Sequence, residues 1–185
     1  VNWELSMTPQ DRFLTSMAVT HVNFQLSALL PVLTAGAALI LVRRYSATRF
    51  WDQVQRHGAT LVQSMAMMVR TMLKQPVRPT EREHRVREVH YFLNITDREK
   101  EEFEDRFGVT LLNNYGSTES LVGVITDQPG VPRRWPSIGK PGLGYRVKIV
   151  TLDGKPAADY ENGEFYIHGI PGRTLMLGYL NDPDA

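Results

Sequence analysis

Apolar positions in this chain fall in short blocks whose period switches between two and about 3.6, the mark of strands alternating with helices. Residues 7–12 read as a loop in which Thr8-Pro9 sets an extended or turn geometry, and Phe13-Leu14-Thr15-Ser16-Met17-Ala18-Val19 then predicts a buried strand. Leu26, Leu29, Leu30 and Leu33 follow at helical spacing, with Pro31 placed to kink that helix and Gly36 to end it. Residues 37–42 are continuously apolar, as expected of a strand buried on both faces, and stop at the basic pair Arg43-Arg44. Ser46 can cap a helix that carries Phe50, Trp51 and Val54 on one side and ends at Gly58, after which Ala59-Thr60-Leu61-Val62 supplies another strand. Met65, Met67, Met68, Val69 and Met72 crowd a helix stopped by Pro76. Methionines in that pattern form either core or an adaptable surface, and here they are read as core.

Residues 76–88 are charged and loop-like, and Val89-His90-Tyr91-Phe92-Leu93 is the next strand. Thr96-Asp97-Arg98-Glu99 is a capping box that opens a helix with Phe103 and Phe107 on one face and Gly108 at its end. The rhythm delivers a strand over 109–112 into Asn113-Asn114-Tyr115-Gly116, which reads as a turn, and then into a helix start that Ser117 or Thr118 can cap. Turns of this kind lie at the carboxyl ends of parallel strands, where an open α/β sheet binds ligands and free N–H groups face anions. Glu119 suits either that role or simple compensation of a helix dipole. Beyond residues 122–126, prolines and glycines become too dense for any helix. Tyr145-Arg146-Val147-Lys148-Ile149-Val150 alternates as a half-exposed strand, Asp153-Gly154 signals a hairpin turn, and Gly163-Glu164-Phe165-Tyr166-Ile167-His168-Gly169 is a further strand. The expected fold is α/β: a mostly parallel sheet with flanking helices over 1–127, then part of a small antiparallel β-barrel subdomain over 128–185.

Composition narrows the function classes. The 185 residues are 42% apolar and 22% charged, ordinary for a globular protein, and a net charge of +1 without long single-sign blocks gives no electrostatic case for nucleic acid. Zero cysteines exclude disulfides, thiolate zinc and a cysteine nucleophile, in keeping with a cytoplasmic location. Val1-Asn2-Trp3-Glu4 is no signal peptide, and the chain is expected to begin mid-protein. The apolar stretch 26–42 is interrupted by Pro31 and Gly36 and is too short for a membrane span.

The order Tyr115-Gly116-Ser117-Thr118-Glu119 resembles a central motif of the adenylate-forming (AMP-binding) superfamily of acyl-CoA synthetases, luciferases and peptide-synthetase adenylation domains. Three more anchors stand in family order: His21, Ser137-Ile138-Gly139-Lys140-Pro141-Gly142, and residues 163–169 with Gly178-Tyr179. Within the superfamily, Tyr91-Phe92-Leu93-Asn94 and Arg133-Arg134-Trp135-Pro136-Ser137-Ile138-Gly139 are most similar to crotonobetaine/carnitine-CoA ligases.

The resemblance implies a ligase that joins a carboxylic acid to ATP as acyl-AMP, releasing pyrophosphate, and then passes the acyl group to coenzyme A. It assigns Asn114, Tyr115, Gly116, Ser117 and Thr118 to the nucleotide, Thr118 and Glu119 to catalysis, and Glu119 to Mg²⁺. His21, Phe24, Tyr91, Phe92 and Asn94 fall on the acid substrate's side, although His21 also has an ordinary structural reading. If the acid carries a quaternary ammonium, aromatic faces should surround it, with Phe24, Tyr91 and Phe92 as candidates. Tyr91-Phe92-Leu93-Asn94 departs from the family's Gly-Gly-Ala-type turn near adenine. The family's Ser/Thr/Gly-rich phosphate loop, its ribose-binding aspartate and its lysine-bearing C-terminal domain are not found in these residues, so the chain reads as an internal fragment that is inactive alone. A noncatalytic nucleotide-binding or interaction domain of the same fold is the alternative. Amino-acid adenylation fits less well, because Met17-Ala18-Val19-Thr20-His21 lacks the Phe-Asp pair of those domains.

Overall fold

A seven-stranded sheet in the order β2-β1-β3-β4-β5-β6-β7 organises the chain. The computed structural model describes residues 4–128, 130–131 and 137–182; the N-terminal Val1-Asn2-Trp3, Pro129, Pro132, the Arg133-Arg134-Trp135-Pro136 segment and Pro183-Asp184-Ala185 lie outside the described residues. Strands β1 (Arg12–Thr15), β2 (Ala38–Leu41), β3 (Leu61–Met65), β4 (Glu88–Phe92) and β5 (Thr110–Tyr115) pair in parallel. The short strands β6 (Ile125–Thr126) and β7 (Lys140–Pro141) add antiparallel, so the large sheet takes its last strand from beyond residue 127. A separate antiparallel pair, β8 (Arg146–Val150) and β9 (Glu164–His168), follows. Its chain reverses at the expected Asp153-Gly154 turn, where Thr151 N donates to Lys155 O at 2.8 Å.

Crossover handedness places the helices. The connection from β1 moves toward β2, while those from β2, β3 and β4 move the other way, so right-handed crossovers put the first helix on one face and the rest on the opposite face. Helices α3 (Phe50–His57), α4 (Ala66–Leu73) and α5 (Asp97–Phe107) pack Phe50, Trp51, Val54, Met68, Val69, Met72, Phe103 and Phe107 against Leu14, Val62, Val89, Tyr91 and Leu111. Trp51 stacks on Phe107 with ring centroids 4.6 Å apart. The methionine-rich helix is thus core through Met68 and Met72, with Met67 on its exposed side. The capping box at Thr96 and Glu99 is formed, and the helices end at Gly36, Gly58 and Gly108 as expected.

The other face carries Phe13, Leu61 and Leu112 under one helical run made of α1 (Val22–Phe24), a π-helical stretch Gln25–Leu29 and α2 (Leu30–Ala35). Three sequence expectations are corrected here. The buried stripe of this run is Phe24, Ala28 and Val32, four apart, while Leu30 and Leu33 are 49% and 66% exposed. The wide π turn immediately precedes Pro31, whose missing N–H would otherwise break the ladder. The apolar run 37–42 becomes β2, an edge strand that is only half-buried rather than covered on both faces. Arg49, not Ser46, is the N-cap of α3; the Ser46 hydroxyl bonds Thr48 Oγ1 at 3.0 Å one turn earlier.

Candidate functional site

Connections leave β1 and β3 in opposite directions, which makes their carboxyl ends a topological switch point. Its floor is polar and closed. Thr15 Oγ1 donates to Gln63 Oε1 at 2.5 Å, and Gln63 Nε2 donates to Asn23 Oδ1 at 2.9 Å, all three residues being buried. Asn23 N donates in turn to His21 Nδ1 at 3.0 Å, so His21 is the N-cap of α1. Accepting at Nδ1 leaves Nε2 as the ring's N–H, on an exposed side chain at the rim. His21 therefore has its structural role and, among the described residues, an unengaged donor together.

The same edge of the sheet carries the loops after β4 and β5. Leu93 has φ 70 and is 62% exposed. The exposed Asn94 offers its carbonyl to Arg70 Nη2 at 3.0 Å. Arg70 also meets Glu99 at 2.6 Å, and this contact, with the Thr96 N–H, holds that carboxylate down to about 2. The three aromatics expected on the substrate side do not converge. Tyr91 is core on the α3–α5 face and Phe24 is core on the opposite face, so the two cannot enclose one cation; Phe92, with its ring 4.9 Å from His90, shares the face of His90.

The expected turn and helix after residue 112 are replaced by a longer strand and a closed loop. Asn113 and Asn114 lie within β5, because tertiary partners hold them: Asn113 N donates to Asp127 Oδ2 and Asp127 N to Asn113 O, both at 3.0 Å. Asn114 is buried behind the loop, with its Oδ1 accepting from Gly123 N at 3.2 Å, so it supports the loop from below. No helix starts at Ser117. Leu121, Val122 and Gly123 have φ of 62, 71 and 73, which turns the chain back after one bend, and the Ser117 and Ser120 hydroxyls bond each other at 3.0 Å. Gly116 is required by that closure, since a Cβ there would sit 2.6 Å from Val122 Cα.

What this loop presents is chemical. Tyr115 keeps 40% of its surface exposed, with its ring edge to Phe165 at 5.6 Å, and Thr118 is exposed. Glu119 is half-exposed and ionised: its own backbone N–H, the Ser117 hydroxyl and the Tyr179 hydroxyl hold its carboxyl below the usual range. Tyr179 donates to Glu119 Oε1 at 2.9 Å, Met176 N donates to Glu119 O at 2.8 Å, and the Tyr145 hydroxyl reaches Ser120 O at 2.6 Å and Thr174 O at 2.9 Å. These partners were not assigned from sequence; Gly178-Tyr179 stood out as a motif, without its partner.

The donor set fits Mg²⁺. Glu119 offers hard anionic oxygens of the kind Mg²⁺ takes, and among the described residues no cluster of three His, Cys, Asp or Glu is found. A separate open cavity of about 590 Å³ lies at the amino ends of β1, β3 and β4, lined by Arg12, Arg56, Arg82 and His84 among others. Three of its lining side chains are taken up by helix C-termini: Arg12 Nε bonds His57 O, Arg82 bonds the Asp105 and Arg106 carbonyls, and His84 Nε2 meets Phe107 O.

Among the described residues no helix is long and apolar enough to cross a membrane. The chain is 43% identical over 183 residues to crotonobetaine/carnitine–CoA ligase of Salmonella typhimurium, covering 99% of this chain and 35% of that protein; it thus spans about a third of that relative's length. It superposes on a benzoate CoA ligase from Burkholderia xenovorans with a TM-score of 0.85 at 22% identity, over 96% of this chain and 36% of that one, a likeness of fold. o-Succinylbenzoate coenzyme A synthetase from Bacillus subtilis, solved in complex with ATP and magnesium ion, matches with a TM-score of 0.81 at 26% identity over 97% of this chain and 36% of that one. The family model for AMP-binding enzymes matches residues 1–180, and the chain belongs to that family.

Proposed function

We propose that the protein containing this chain is an ATP-dependent acid–CoA ligase, which activates a carboxylic acid as acyl-AMP and transfers it to coenzyme A. The observation that carries this reading is the ionised, half-exposed Glu119, held on a closed loop at the carboxyl edge of a parallel sheet. Tyr115 offers an aromatic face to adenine and Thr118 a hydroxyl to a phosphate oxygen, with Gly116 and Ser117 shaping the loop between them. Glu119 holds Mg²⁺, which when bound offsets charge on the phosphates during displacement. His21 stands after β1, three strand spacings or roughly 14 Å across the sheet from β5. There its Nε2–H is available to the acid end of the substrate, with Phe92 ending the intervening β4 and Asn94 on the connection after it. Residues 1–127 are read as the nucleotide- and acyl-binding subdomain and 128–185 as the barrel portion, with β7 tying the two through the large sheet.

Similarity to crotonobetaine/carnitine–CoA ligase supports an acid of the carnitine or betaine class, and the soluble substrates go with a cytoplasmic location. The test is pyrophosphate release by the full-length protein with Mg-ATP, coenzyme A and a panel of acids. Release that depends on a trimethylammonium acid and yields its CoA thioester is expected. Release with none of the acids would leave the noncatalytic nucleotide-binding reading in its place.

A further inference from the structure

The loop that carries Glu119 is not held by its own sheet alone. A segment sixty residues later in sequence reaches it at two points, Tyr179 Oη on the carboxylate and Met176 N on the backbone carbonyl. Tyr145 adds a third tie between the same two segments, through Ser120 O and Thr174 O, without touching the carboxylate. Gly178 has φ 150, a conformation that side chains rarely adopt, and it directs the chain so that the next residue faces Glu119.

A carboxylate on a loop at the protein surface can rotate about its side-chain torsions, and each productive orientation must be selected from several. The Tyr179 bond to Oε1, added to those from the residue's own N–H and the Ser117 hydroxyl, narrows that freedom further and is the one that comes from outside the loop, while lone pairs remain on the carboxylate for a cation. Metal-binding carboxylates are ordinarily fixed by such partners, whose loss weakens metal affinity about 10–100-fold. We infer that Tyr179 is a positioning residue for the metal ligand Glu119, acting through its own hydroxyl on the carboxylate rather than through the docking of the 169–182 segment as a whole. This rests on the assignment of Glu119 to Mg²⁺ in the proposed function.

The experiment compares Tyr179→Phe with Tyr145→Phe in the full-length protein. Tyr179 is half-exposed and loses one oxygen, so the variant folds, while Tyr145→Phe loosens the same docking without altering the carboxylate's partner. Two readouts are taken: the Mg²⁺ dependence of acid-dependent pyrophosphate release, and binding of Mn²⁺ with ATP followed by loss of the free-ion paramagnetic signal. Tyr179→Phe is expected to raise the apparent metal constant about tenfold in both, with the KM for the acid and the melting temperature unchanged. Tyr145→Phe is expected to lower the melting temperature and leave the metal constant alone. An unshifted constant in Tyr179→Phe, or equal shifts in both variants, overturns the positioning role. Absence of acid-dependent turnover in the unsubstituted protein overturns the ligase reading instead.

Discussion

Gln63 and Asn23, forty residues apart, share a 2.9 Å hydrogen bond beneath the switch point of the sheet, where both side chains are buried. The bond joins β3 to the first turn of α1, and through Asn23 N it fixes the ring that caps that helix. Gln63→Leu would remove the acceptor of the Thr15 O–H, which keeps its bond from Met17 N, and the donor to Asn23 Oδ1. Each orphaned group costs about 1–3 kcal/mol, so a loss of about 3 kcal/mol is expected in urea unfolding. Because the His21 ring hangs on the same chain of bonds, the KM for the acid should rise with it. A stability loss with no change in KM would separate His21 from the substrate.

Burial pushes the His90 ring down to about 3, and neither nitrogen has a hydrogen-bond partner among the described residues. A histidine free to protonate at about 6.5 when unfolded, but not when folded, contributes stability above 6.5 that is lost as pH falls toward 3. His90→Leu removes that linkage. The variant should gain on the parent below pH 6.5 by up to ~1.4 kcal/mol per pH unit, and should be no less stable at pH 7. Denaturant midpoints measured at pH 7, 6 and 5 decide this, and parallel curves for the two proteins would count against it.

The parts of this fold that could be read from sequence are those decided within one turn. The Thr96–Glu99 capping box forms because both partners lie three residues apart, and the helix it opens runs to its glycine as expected. What escaped was decided by distant partners. Nothing local distinguishes Asn113 and Asn114 in a turn from the same residues in a strand; Asp127 and Gly123 settle it by supplying bonds from across the loop. An apolar run such as 37–42 reads alike at the centre and at the edge of a sheet, since strand order depends on every crossover. For the site, the residues of the loop after β5 were legible as a motif, but the helix expected after it was not formed. The tie from Tyr179 to Glu119 had no signal short of the folded chain.

The Arg70–Glu99 pair steadies the connection between β4 and α5, and Arg70 is also the donor to Asn94 O. The guanidinium holds Glu99 down to about 2 from an ordinary 4.5, so the contribution is complete above 4.5 and disappears as pH falls through 2. Arg70→Met should flatten the acid limb of the stability curve between those values. It should also increase hydrogen exchange at the amides of residues 93–96. An acid limb as steep as that of the unsubstituted protein would locate the linkage in other carboxylates, such as Glu81 with Arg106 or Asp11 with Arg87.

Glu119→Gln keeps an oxygen that can accept from Tyr179 but removes the charge. Since the residue sits on an exposed loop and its partner is retained, folding stability should change by no more than about 0.5 kcal/mol. Adenylation should fall on the order of a hundredfold, with partial recovery at high Mg²⁺. Thermal melting beside single-turnover pyrophosphate release separates the two effects. Parallel losses of stability and rate would mean that Glu119 serves the loop rather than the metal.

The 185-residue chain by itself is expected to make neither acyl-AMP nor acyl-CoA, even when folded. It spans about a third of the length of the ligases it matches, 35% in the Salmonella relative, and by resemblance the phosphate loop, ribose carboxylate and lysine are not among its residues. Phosphorus chemistry depends on several groups converging on one atom, and losing positioning elements of that kind costs many powers of ten. Thr118 and Glu119 supply only part of the phosphate and metal environment, on a loop open to water where single ionic contacts contribute about 1 kcal/mol or less. Calorimetry should therefore detect only weak Mg-ATP binding, abolished by Glu119→Gln. The decisive measurement is acid-dependent pyrophosphate release by the purified chain beside the full-length protein. Comparable turnover in the two would show that the remaining positioning groups are dispensable, and would sink this account of how the work is divided.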